Sequence, residues 1–92
     1  MTNMPGSADI QSDAGDARFH PPVLLNSSAL GVAEVGSVLE AREVLHGNWP
    51  PTRGKWFYAA SRACRAAVEG RTSVHVARRI FVEAARESRL HT

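Results

Sequence analysis

A single cysteine, Cys64, stands in a chain of 92 residues. No intrachain disulfide framework is available, which excludes a secreted cysteine scaffold and makes a reducing cytoplasm the expected location. Long apolar runs are missing too. None approaches the roughly 18–20 residues a membrane helix needs, so no membrane association is expected. The N-terminus lacks the basic start and apolar stretch of a signal peptide. Aromatic side chains are scarce, and the bulk of any core falls on a few rings such as Trp56, Phe57 and Phe81. The length allows one small domain, and 43% hydrophobic residues against 22% charged argues that most of it folds.

Catalytic patterns are missing as well. His20, His46, His75, His91 and Cys64 form no His-x-x-x-His, His-x-Glu or Cys-x-x-Cys spacing, so no metal is expected. No Gly-x-Ser-x-Gly stretch offers a nucleophile, and no glycine-rich phosphate loop is present. Cys64 falls mid-arc on an apolar helical face, with no basic neighbour expected there to lower its pKa, and reads as a small hydrophobe. No cofactor is expected, and enzyme is the weakest class.

What is present is an uneven charge. The first 52 residues carry Asp9, Asp13, Asp16, Glu34, Glu40 and Glu43 against Arg18 and Arg42. The remainder carries nine bases against Glu69, Glu83 and Glu87. A basic half suits a polyanion or an acidic protein surface, although arginines also coat helices for solubility.

Residues 1–18 read as a disordered acidic tail, and residues 19–92 as one folded ββααα domain. His20-Pro21-Pro22 is extended or turn-like, Val23–Leu25 is a short strand, Asn26–Ser28 a turn and Leu30–Ser37 a second strand. Ser37 and Glu40 form a capping box in which each side chain reaches the other's backbone N–H. It opens a helix over Val38–His46, stopped by Gly47. A Pro-rich loop leads to a second helix over Gly54–Glu69. Trp56, Phe57, Ala60, Ala63, Cys64, Ala67 and Val68 share its apolar arc. Ser73 or Thr72 caps a third helix reaching about Leu90, with Val74, Ala77, Ile80, Phe81, Ala84, Ala85 and Ser88 on one face. Arg79 and Glu83 are spaced for an ion pair on the other. Alanines on both inner faces predict close helix packing. The fold class is α+β: a short N-terminal β-hairpin followed by three α-helices.

The ordered series Trp49-Pro50, Gly54, Ala60, Cys64, Gly70, Ala77-Arg78, Phe81 and Ala84-Ala85 resembles the short bacterial proteins grouped as domain of unknown function 982. Pro22-Val23 and the helix start at Ser37–Ala41 also fit, so the resemblance covers roughly residues 19–90. It implies a small domain of a strand pair and three helices, and it implies no activity. The acidic tail departs from the shortest members, and Ser88 stands where a small alanine is usual.

Two surfaces attract attention. Arg53 and Lys55 flank Gly54 at a helix start, where the positive dipole end and free N–H groups favour an anion. Trp49, Arg53, Gly54 and Lys55 are thus a candidate anion or partner site. Trp49 itself reads either as an interface anchor or as a ring folded back onto the helices. Tyr58, Arg62, Arg65, Arg78 and Arg79 form a candidate polyanion face. Gly70-Arg71-Thr72 resembles a helix-turn-helix bend, but Val74-His75-Val76 offers little base-reading chemistry. The expected function is a non-catalytic protein-interaction or regulatory module, acting on a protein partner or by self-association as a homodimer. The alternative is a nucleic-acid-binding accessory protein using the basic faces of helices two and three.

Overall fold

Strand β1 (Arg18–Ser27) pairs antiparallel with β2 (Gly31–Ser37), and β2 runs straight into helix α1 (Val38–His46). Helices α2 (Lys55–Val68) and α3 (Val74–Glu87) follow. The computed structural model describes residues 17–27, 31–47 and 49–90. Among these, the order is the expected one, a hairpin and then three helices in an α+β domain.

The hairpin begins earlier than its apolar run suggests. Ala17 is buried and its carbonyl accepts the Val38 N–H at 3.0 Å, so the folded part precedes Phe19. The rest of the expected tail, residues 1–16, and the turn at Ser28 lie outside the described residues. Pro21 and Pro22 sit inside β1 rather than before it. Their fixed φ suits extended backbone, but they lack an N–H to donate to the ladder. The register slips at that point: Arg18 faces Ser37, whereas Val23 faces Val35. Beyond the slip, side chains alternate. Val23, Leu25 and Val35 point into the core, while Leu24 and Val32 stay exposed.

Local capping fixes the helix ends. The Ser37 hydroxyl accepts the Glu40 N–H at 3.2 Å, as expected. The return bond differs: Glu40 Oε1 accepts from the Gly36 N–H, at 2.6 Å, rather than from Ser37. The Ser73 hydroxyl accepts the Val76 N–H at 3.0 Å. Helices α2 and α3 end in the same six-residue wrap. Arg71 N–H donates to Ala66 O at 2.8 Å, and Leu90 N–H donates to Ala85 O at 2.7 Å. The left-handed residue in the first is Gly70, φ 79°; in the second it is Arg89, φ 60°. Helix α3 therefore stops at Glu87, short of Leu90, and the Leu90 carbonyl accepts the Asn26 N–H of β1 at 2.7 Å.

Phe19, Val35, Leu45, Phe57, Cys64 and Phe81 meet in one core. Ala60, Ala67, Ala77 and Ala84 are buried where α2 and α3 approach the layers around them. Some residues of the expected apolar faces differ. Trp56 and Ile80, the bulkiest of these, pack against the core but remain partly exposed. Arg79 and Glu83 do not form their ion pair; the Arg71–Glu69 pair at 2.6 Å is the one seen among the described residues.

Candidate functional site

The start of α2 already holds an anion, and the chain supplies it. Gly54 has no side chain with which to cap the helix. Glu87, at the end of α3, does so from across the fold. Its Oε1 accepts the N–H groups of Gly54 at 3.2 Å and Phe57 at 3.1 Å, and its Oε2 accepts that of Trp56 at 3.3 Å. A carboxylate here satisfies orphan donors and sits at the positive end of the helix dipole. The donors expected to hold an external anion are thus engaged internally. Arg53 lies over the Phe57 ring, 4.6 Å from its centroid, and Lys55 Nζ lies 5.6 Å from the Trp56 ring. Neither cation points at a vacant anion cradle. Trp49 is folded back, only 4% exposed. Its indole N–H donates to the Ser88 hydroxyl at 3.1 Å, and Ser88 in turn donates to Thr52 O at 3.0 Å. Trp49 therefore pins its loop rather than presenting an anchor, and Ser88 is the latch.

The open chemistry lies on the other flank of the helix pair. Two shallow cavities of about 460 and 470 Å³ run along α2 and α3 and share Val76 and Ile80. From α2, Trp56 lines the first, and Ala59, Ala63 and Ala66 line the second. Arg62, Arg65 and Arg71 border one cavity, and Arg78 and Arg79 the other. Glu83 is the bordering carboxylate among the described residues. The result is an apolar trough with a basic rim, within the size range of ligand-binding clefts.

The five residues of the expected polyanion face do not act as one surface. Arg62 and Arg65 are exposed on the rim. Arg79 is exposed on the other side of Ile80. Arg78 is half-buried and donates its Nε–H to Pro21 O at 2.7 Å, tying α3 to β1. Tyr58 is 53% exposed but stands edge-on to Phe57 and borders neither cavity. Trp56, Val76 and Ile80 as trough floor and Arg71 as rim are not apparent from the linear sequence. A signal existed: the α2 apolar arc is wider than one packing neighbour covers.

A basic neighbour of Cys64 also emerges. The thiol is fully buried, and burial pushes its pKa from 9.0 up to about 11, while the Arg42 guanidinium pulls the other way. Desolvation wins, so the thiol stays protonated and inert, although α1 does supply a cation that the linear sequence hid.

Residues 21–92 match the family model described as Protein of unknown function (DUF982). The chain belongs to this family. No curated protein and no solved structure matches it. The residues that carried the DUF982 resemblance are mainly builders of the fold. Trp49, Gly54, Ala60, Cys64, Ala77 and Phe81 pack the core or make room for the Glu87 cap. Apart from Arg78, none of that series borders the trough.

Proposed function

We propose that this DUF982 chain is a non-catalytic, cytoplasmic protein-interaction module, and that it docks a partner in the trough between α2 and α3. The observation that supports this is the partial exposure of Trp56, Val76 and Ile80 inside a rim of arginines. Apolar floor rewards apolar side chains, and the rim rewards carboxylates. The occupant is an acidic amphipathic helix of another protein, with apolar residues at i, i+3 or i+4, and i+7. A second copy docking trough to trough sets arginine against arginine, which disfavours that homodimer. Among the described residues no helix is long and apolar enough to cross a membrane.

Nucleic acid is the competing reading, because Arg62, Arg65 and Arg79 are exposed. Two observations count against it. Arg78 is engaged by Pro21, and the apolar floor adds nothing to phosphate contact. Selection from a random peptide library against the full chain separates the two. The docking reading expects enriched peptides that combine Asp or Glu with Leu, Ile or Phe at helical spacing, and loss of binding in Ile80→Asp. No enriched peptide, together with oligonucleotide binding that falls steeply with salt, would overturn it.

A further inference from the structure

A separate cavity of about 150 Å³ lies between α1 and α2. Arg42 and His46 of α1 line it with Ser61, Arg62 and Arg65 of α2. No carboxylate lines it among the described residues. Among the described residues no ion pair or side-chain hydrogen bond engages Arg42, Arg62 or Arg65; the arginines so engaged there are Arg53, Arg71 and Arg78. Three arginines bordering one small cavity concentrate positive charge there, which favours an anion. Arg42 is half-buried and borders this cavity from α1.

We propose that this cavity binds a single phosphoryl group, carried as a phosphate monoester or as free phosphate. Planar guanidinium forks match tetrahedral oxyanions in paired hydrogen bonds, and the Ser61 hydroxyl and His46 ring add donors. A dianionic monoester offsets more of the clustered charge than a monoanionic phosphodiester does. The cavity is small enough for one such group and too small for a run of nucleotides. This site does not depend on the trough. Arg62 and Arg65 border both, so the test uses Arg42 and Ser61, which border the cavity alone.

The experiment is a titration of the full chain with inorganic phosphate at constant ionic strength, followed by backbone amide NMR. The expected result is a saturable shift centred on His46, Ser61 and Arg62. Arg42→Gln weakens binding roughly tenfold, and Ser61→Asp, which puts a carboxylate in the cavity, abolishes it. Both variants are compared by circular dichroism with the parent. Should Arg42→Gln unfold, Ser61→Asp on the helix surface still decides. A phosphoserine peptide that binds more tightly than inorganic phosphate assigns the group to a protein; one that binds no better assigns it to a free anion. No saturable shift in the parent, unchanged binding in a folded Ser61→Asp, or a shift that only an oligonucleotide produces would overturn the proposal.

Discussion

Glu87 caps helix α2 through Gly54. The carboxylate accepts the Gly54 N–H at 3.2 Å, and it occupies the space that a Cβ at residue 54 would fill. Two residues 33 positions apart thus make one helix terminus, and they join the end of α3 to the start of α2.

Breaking that joint is costly from either side. Glu87→Ala leaves three backbone donors without the carboxylate and should cost about 2 kcal/mol of stability. Gly54→Ala expels the same carboxylate and should cost a similar amount. Because both changes remove one interaction, the double variant should lose clearly less than the two losses added together. Urea unfolding of the four proteins measures this. Fully additive losses would mean that Gly54 and Glu87 act independently, and no loss in Glu87→Ala would mean that the cap contributes nothing.

Ser88 holds Trp49 in the same region. Ser88→Ala removes the acceptor of the indole N–H and the donor to Thr52, and should cost about 1–2 kcal/mol. In a Trp56→Phe background, acrylamide should quench Trp49 more strongly once Ser88 is gone. Equal quenching would show that the loop stays closed without it.

Arg89 occupies a left-handed position that glycine fills at the end of α2. Arg89→Gly removes that strain and, after the added freedom of the unfolded chain, should stabilise the protein by about 0.5–1 kcal/mol. A rise in Tm is the readout; a fall would mean that the arginine side chain makes a contact worth more than the strain.

Cys64 gives a pH signature. Its folded pKa, about 11, lies above the ordinary 9.0, so between those values the native chain holds a proton that the unfolded chain has lost. Stability from this group is intact below pH 9 and falls as pH rises toward 11, by roughly 2 kcal/mol over the interval. Cys64→Ala should show a shallower decline across the same window. At pH 8 a disulfide reagent should label the parent only as it unfolds. Rapid labelling of the native chain would contradict the burial.

Features set by neighbouring residues were legible in the sequence: the Ser37 and Ser73 caps, the Gly70 stop, and the span of α1. The length of β1 was not, because proline signals a break in pairing yet tolerates extended backbone. The Glu87 cap was not, because its partners are remote in sequence and glycine at a helix start looks like an open anion site. The trough was not, because a helical wheel puts Trp56 and Ile80 on the apolar face without saying which flank a third layer covers. A two-stranded hairpin and the nine-residue α1 cover one flank of α2 and α3 and leave the other open.

Charge reversal across the trough tests the docking account most directly. An acidic peptide taken from the selection is titrated into the parent and into the Arg62→Glu, Arg79→Glu double variant, and a lysine-substituted version of the peptide into both. The account predicts that the double variant loses the acidic peptide by at least about tenfold in Kd and gains the lysine peptide. Equal affinity of the acidic peptide for both proteins would contradict it.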